Sequence, residues 1–487
     1  MKKTLAQLFL LLFLILPIFT QAQKSALLWA TYLDSSDVYG GAIATDASGN
    51  VYFEGTSTII SGLATKGAYQ TLGDSVNGDI YLAKFDSSGN LIWATYFGGD
   101  STEWAGGVTI DKSGNVYITG TTESTNGIAT SGAYLSTFSQ SYNAPPFTSA
   151  FLAKFNTNGN LIWATYYGGN IINAGGAATD SDGNVFITGL TGSTYGIATS
   201  GAHKTSISGM YGDYDAYLAK FSANGSLLWG TYYGGTGNDG GGILVIDKSG
   251  DIYMYGGTNS ISGIATAGAY QTKGDSVNWD VFLAKFNTSG TLLWGTYYGG
   301  DSIDEGGGMA IDKSGNIIIS GTTNSINGIA TSGAYQTYFG GIEDAFLAKF
   351  TSSGNLLWGT YFGDSDWNGG AGVVTDFSGN IYMSGYSTMV SGLATAGAYQ
   401  TYNTSNGGGG DAILSKFNSR GELLWASYYG GCCTISGGDL SIDSLGNVYM
   451  SGVTGATTGI STSGSYESFS YGGWNAYLAK YSYHNWL

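Results

Sequence analysis

Three markers recur seven times in register along this chain, and that count constrains the fold more than any other feature. Tryptophan returns at Trp29, Trp93, Trp163, Trp229, Trp294, Trp358 and Trp425, each inside a segment like LLWGTYYGG. Aspartate returns at Asp46, Asp111, Asp180, Asp247, Asp312, Asp376 and Asp443, each opening a D-x-x-G-N/D turn. Lysine returns at Lys84, Lys154, Lys220, Lys285, Lys349, Lys416 and Lys480, within segments like DAFLAKF. Seven copies of one supersecondary unit mean a repeat architecture in which each unit completes its core against its neighbours.

Each unit holds four short β-type runs, called a to d here: GGMAID, NIIISG, DAFLAKF and NLLWGTYY in the fifth. Runs of this length bounded by Gly, Asn, Asp and Ser are strands. The a–b and c–d connections, DKSGN and TSSGN, are tight turns with glycine at the place where a positive φ is needed. The b–c and d–a connections are longer.

Four antiparallel strands per unit and no helical periodicity predict an all-β, seven-bladed β-propeller. Strand a is rich in glycine and alanine, as inner strands converging on an axis require, while strand d carries the bulky residues that fill the widening gap between blades. The chain opens with a lone strand d at 27–32 and ends with a lone strand c, so pairing the two closes the ring. An open array would need polar caps at both ends. The expected blades run approximately 40–96, 106–166, 175–232, 240–297, 306–361, 369–428 and 437–481, the last completed by 27–32.

The pattern W-A-T-Y-Y-G-G … G-G-x-x-x-D-x-S-G-N-V-Y-I-T-G-T-T … D-A-F-L-A-K-F resembles the SBBP-type β-propeller repeat of secreted and cell-surface bacterial proteins, including those of Bacteroidetes. The resemblance implies a propeller fold and an exported location, and it implies no catalytic residue. Such repeats usually continue into a Phe-Pro-Thr-type segment. Here GIATSGAYQT and its variants stand in that place. Proteins of this kind often carry a C-terminal sorting domain, and here seven residues follow Lys480.

Composition fits the same picture. Glycine supplies 82 of 487 residues and charged side chains 10%, which removes coiled coils, while 14% aromatics argue against disorder. Thirty-four acidic against seventeen basic residues argue against a nucleic-acid surface. Lys2 and Lys3, the apolar run from Leu8 to Phe19 and the small residues before position 23 have a signal-peptide layout. The expected mature domain is therefore 24–487, without a membrane span, and located outside the cell, at its surface or in the periplasm.

The two tight turns share one face, so variation and function should concentrate on the opposite, long-loop face. The first half of the b–c loop repeats and reads as structural, with Tyr69, Tyr134, Tyr270, Tyr335, Tyr399 and Tyr466 at one position and His203 replacing the tyrosine in the third unit. Its second half diverges. Trp104, Trp279, Trp367 and Trp474 fall outside the marker set and on the long-loop face, and they are the candidate ligand-binding residues, because exposed aromatics stack on sugars and contact proteins. They serve equally well as covers for blade tops.

The d–a loops are acidic, with Asp34, Asp37, Asp100, Glu103, Asp239, Asp301, Asp304, Glu305, Asp364 and Asp366. Carboxylates are hard-cation ligands, so a calcium site near the axis is a candidate, most directly at Asp100, Glu103, Asp301, Asp304, Glu305, Asp364 and Asp366. As solvated loop residues they need no metal. The marker Asp and Lys, on strands running the same way, should meet in seven structural contacts. No nucleophile elbow appears, and His203 and His484 lie in different repeats, so the expectation is not an enzyme. Cys432 and Cys433 are adjacent, either as a vicinal disulfide or as two thiols. The expected function is a non-catalytic module binding glycan or protein on the long-loop face. An architectural surface protein is the alternative, and a polysaccharide hydrolase the weaker one.

Overall fold

The computed structural model describes residues 26–33, 38–73, 78–137, 148–169, 172–208, 213–275, 278–405, 409–470 and 472–482. The signal-peptide expectation, Asp34, Asp37 and His484 fall outside them. Seven four-stranded antiparallel sheets follow one another round an axis. Blade 1 consists of Val38–Thr45, Val51–Ser57, Asp79–Phe85 and Leu91–Phe97, as strands a to d. Blade 7 takes strands a to c from Ile435–Ile442, Val448–Thr454 and Asn475–Ser482. Its outer strand is Ala26–Tyr32, paired antiparallel with Asn475–Ser482, so the N-terminal strand closes the ring as expected. Among the described residues no helix is long and apolar enough to cross a membrane.

Strand c is buried along its whole length in every blade. It has strands on both sides and a neighbouring blade on each face, which is why it reads as an unbroken apolar run rather than an alternating one. Strand a needs glycine because inner strands meet backbone to backbone. A Cβ on Gly308 would stand 2.5 Å from the backbone nitrogen of Val373 in the next blade. The outer edge of strand d is covered by the repeated half of the b–c loop of its own blade. Thr331 N donates to Gly359 O at 2.9 Å and Tyr361 N to Gln336 O at 3.2 Å, and the same pair of bonds recurs in other blades. Exposed strand edges template aggregation, so this conserved-looking loop half seals the rim. Its tyrosine meets the strand-c phenylalanine of the next blade edge-on, as Tyr335 does Phe417 with centroids 6.1 Å apart. His203 occupies the equivalent place against Phe286.

The marker residues lock the seams between blades. All seven lysines meet their turn aspartates, at 2.8 Å for Lys349–Asp312 and up to 3.8 Å for Lys480–Asp443. Asp312 Oδ1 accepts the backbone N–H groups of Ser314 and Asn316, which shapes the a–b turn. Burial pushes its carboxyl up, but Asn316 and Lys349 together hold it below its ordinary pKa. Lys349 also donates to Ser419 O in the next blade at 3.3 Å. Six of the seven ammonium groups lie 4.8–4.9 Å from an aromatic centroid on strand b of their own blade. The indoles act in parallel: Trp294 Nε1 donates to Ser352 O of the next blade at 3.1 Å, and its ring lies against Gly354, where a Cβ would come within 3.0 Å. Only Trp93 and Trp425 of the seven marker tryptophans are buried, and the others lie partly open along the rim.

Removing one partner of a buried ion pair leaves the other charge uncompensated, at a cost of about 3 kcal/mol or more. Lys349→Met should therefore lower stability by that order in urea unfolding, whereas Lys66→Met on an exposed loop should stay within about 0.5 kcal/mol. The lowered Asp312 carboxyl contributes stability that is present above its unfolded pKa of about 4 and is lost on further acidification. The difference between wild type and Lys349→Met should accordingly shrink below that pH.

Candidate functional site

The second residue of strand a stands at the mouth of the axial channel on the long-loop face. In blades 1 to 7 it is Tyr39, Trp104, Asn173, Gly240, Glu305, Gly369 and Ser436. Only blades 1 and 2 place large aromatics there, and they are adjacent. Tyr39 and Trp104 are 41% and 43% exposed and flank a cleft of about 460 Å³. Its walls are Thr56, Thr58 and the backbone of 40–42 and 105–106, with no charged side chain. Thr56 Oγ1 accepts the N–H of Ala105 at 3.0 Å, which ties the two walls together. Gly41, Ala42 and Gly106 belong equally to the axial channel of about 730 Å³, so the cleft opens into it.

The other three candidate tryptophans stand on other blades. Trp279 lies over Gly257 on strand b of blade 4, and its carbonyl accepts Asp304 N at 2.7 Å. Trp367 precedes the inner strand of blade 6, with its N–H on Asp366 Oδ1 at 3.0 Å. Trp474 precedes strand c of blade 7. All three are 40–46% exposed, and none stands at the second inner-strand position that Trp104 occupies. Tyr39 went unnoticed in the sequence because it sits inside a strand. Comparing the second inner-strand residue blade by blade would have singled it out.

The acidic residues divide by position. Asp100 and Asp301 cap the b–c loop of the following blade: Asp301 Oδ1 accepts Ile326 N and Asn327 N at 2.8 and 3.1 Å, and Asp100 does the same for Thr125 and Asn126. Asp364 and Asp366 are half-buried and accept the N–H of the residue that follows each, and Glu305 is exposed. Glu103, Asp239 and Asp304 open inner strands and are buried in the seams. Each faces the first residue of strand c of the preceding blade, namely Asp79, Asp215 and Asp280. A Cβ on Gly299 would lie 2.2 Å from Asp280 Oδ1 and 2.8 Å from Asp304 Oδ2, so both carboxylates crowd one glycine. Burial, reinforced by Asp304, raises the Asp280 pKa to about 7. Burial likewise raises Asp304 to about 6 and Glu103 to about 7, against hydrogen bonds that pull the other way. In the seam between blades 3 and 4, Lys204 Nζ donates to Asp215 Oδ2 at 2.7 Å and supplies the missing charge. Blades 1, 4, 5 and 6 have Gln70, Gln271, Gln336 and Gln400 there. Among the described residues no three His, Cys, Asp or Glu side chains gather as a metal cluster.

Glu54 is another departure from the repeat. It is fully buried, and neither carboxyl oxygen has a hydrogen-bond partner among the described residues. Its counterparts are Thr119, Thr188, Tyr255, Ser320, Ser384 and Ser451. Four of these donate to an inner-strand carbonyl of the next blade, such as Thr119 to Gly175 O at 2.8 Å and Ser451 to Gly41 O at 2.8 Å. Burial raises the Glu54 pKa well above the ordinary value. Cys432 and Cys433 have Sγ atoms 3.0 Å apart and unbonded.

Acids with raised pKa values contribute stability that is complete below their unfolded pKa of about 4 and is lost as pH rises through the folded values. The Asp280 and Asp304 contribution should thus disappear between pH 4 and about 7. Gln271→Lys, copying Lys204, should raise the melting temperature more at pH 8 than at pH 5 by thermal scanning. Glu54→Thr, restoring the hydroxyl of other blades, should stabilise by about 1–3 kcal/mol at neutral pH and flatten the alkaline loss, read by urea unfolding.

Two curated relatives align. An uncharacterized WD repeat-containing protein of Acanthamoeba polyphaga mimivirus is 24% identical over 82% of this chain and 34% of its own length. The regulatory protein FlaEY of Caulobacter vibrioides is 26% identical over 39% of this chain and 20% of its own. The chain thus spans about a third or less of each. Among solved structures, a protein of unknown function from Dyadobacter fermentans aligns at a TM-score of 0.43 and 9% identity, covering 94% of this chain and 99% of that one. A virginiamycin B lyase from Staphylococcus aureus aligns at 0.46 and 9%, covering 92% and 97%. A PL25 ulvan lyase aligns at 0.45 and 13%, covering 87% and 93%. Residues 92–128, running from the outer strand of blade 1 through the first hairpin of blade 2, match the family model of the SBBP β-propeller repeat.

Proposed function

We propose that the protein is an exported, non-catalytic binding module that holds a glycan in the cleft between blades 1 and 2. The adjacent pair Tyr39 and Trp104 carries this reading. Two half-exposed rings on neighbouring blades flank a space of sugar-ring size, with Thr56 and Thr58 on its wall and no charged side chain. Pyranose rings offer apolar C–H faces that stack on aromatics, and rigid aromatic side chains lose little entropy when they bind. The absence of a nucleophile motif in the sequence accords with binding rather than turnover.

The test is a glycan array on residues 24–487, followed by calorimetry on the best hit. Trp104→Ala and Tyr39→Ala should each weaken binding about tenfold or more, equivalent to about 1.4 kcal/mol. Trp474→Ala, on blade 7, should leave it unchanged. A folded sample that binds no glycan, or binding indifferent to Trp104, would overturn the reading.

A further inference from the structure

We infer that the axial channel carries a subsite for a primary ammonium group at Asp439, and that the ligand of the neighbouring cleft is therefore an amine-bearing sugar chain, such as one built from glucosamine. The ring-binding half of this inference rests on the glycan reading of the cleft; the carboxylate half does not.

Asp439 is the fifth residue of the inner strand of blade 7. At that position the other blades have Ala42, Gly107, Gly176, Ile243, Gly308 and Gly372. Blade 7 alone therefore brings a carboxylate into the channel wall at this position. Among the described residues Asp439 is the one ionisable side chain lining that channel, whose other walls are glycine, alanine, aliphatic residues, Met309 and Thr375. Its surroundings are protein on every side except the lumen, toward which it stays partly open.

The carboxylate is fixed in place. Oδ2 accepts the N–H of Ile43 from blade 1 at 3.0 Å, and Oδ1 accepts the N–H of Leu440 at 2.8 Å. These two bonds use one acceptor site on each oxygen, and a carboxylate offers about four in all. Burial raises its pKa to about 6, and the two backbone donors are all that oppose the shift. No lysine or arginine acts on it, and neither Tyr39 on the facing strand of blade 1 nor Tyr449 on strand b of its own blade does. Among the described residues the carboxylate thus has two backbone N–H partners and no counter-charge.

An ammonium group suits that vacancy in chemistry and in place. It brings one positive charge and three donors, and charge-assisted bonds to carboxylates are the strong ones. A calcium ion would need six or more oxygens, and Asp439 brings the single side-chain carboxylate among the described lining residues. The subsite adjoins the cleft: Ile43, whose N–H Asp439 holds, follows Ala42, which lines both cavities. Ile43 is four strand positions beyond Tyr39, about 13 Å of extended backbone, so a chain of two or more sugar rings, one of them between Tyr39 and Trp104, is what would reach past Ala42 to the carboxylate.

The experiment compares glucosamine oligomers with their N-acetylated counterparts at pH 7 by calorimetry, on wild type and Asp439→Asn, where asparagine keeps an oxygen for the Ile43 N–H. The free amine should bind at least tenfold tighter in wild type, and Asp439→Asn should erase that preference while leaving the N-acetylated affinity intact. Equal affinities in wild type, or a preference that survives the substitution, would overturn the proposal. Independently, the side-chain carboxyl carbon of Asp439 is titrated by NMR with free glucosamine, N-acetylglucosamine or calcium chloride present. Glucosamine alone should lower the midpoint. No shift, or a shift given by calcium and not by glucosamine, would overturn the ammonium subsite even if oligomers bind in the cleft. An intact shift without any oligomer binding would refute the cleft and with it the sugar-chain half of the inference.

Discussion

Five of the seven seams in this ring each close on a lysine that reaches two blades at once, namely Lys84, Lys154, Lys220, Lys349 and Lys480. In each, the ammonium group meets the turn aspartate of its own blade and, in most copies, the ring of an aromatic on strand b. It then donates across the seam to the c–d turn of the next blade, as Lys154 does to Ala223 O at 3.1 Å and Lys480 to Ser87 O at 2.8 Å. A charge taken out of water must be satisfied on all sides, so neither turn can move away without exposing the other's requirement. This is why Asp, Lys and Trp travel together through the repeat. The tryptophan closes the same seam further out, with its indole N–H on the same neighbouring turn: Trp163 Nε1 also reaches Ala223 O, at 3.1 Å.

That arrangement consumes the short-turn end of the molecule and frees the other. On the long-loop side the seams are individual. Two hold paired acids without compensation, another holds Lys204, and others replace the second acid with Asn368 or Ile435. The largest departures from the repeat gather on one arc of the ring: Asp439 on blade 7, Tyr39 and Glu54 on blade 1, Trp104 on blade 2. These are the blades that flank the closure between the two ends of the chain. Uniformity there would strengthen the ring, and a fully buried Glu54 weakens it. Variation concentrated at such a place is what recognition asks of a repeat scaffold whose other blades provide the stability.

The sequence was most legible where interactions are local or strictly periodic. Blade count, strand order, tight turns, ring closure and the Asp–Lys contacts all followed from spacing, because turn chemistry and strand alternation act over a few residues. The acids were harder to read. Glu103 and Asp304 look like solvated loop residues, yet they begin strands and lie buried in seams, each beside the strand-c acid of the preceding blade. Glu54 and Asp439 drew no attention because each is a single substitution inside a strand whose other copies are unremarkable.

By itself the sequence determined a seven-bladed, Gly-lined ring with locked seams, because each blade repeats the same local code and the two chain ends supply the two halves of the last one. Which side chains share a site was decided only by the closed ring. Asp439 reaches Ile43 across 396 positions of chain, and Tyr39 meets the cleft opposite Trp104, because curvature brings neighbouring inner strands to the axis side by side. A periodic pattern specifies every blade alike. The site arises where blades differ, and those differences acquire a common location only through packing between blades.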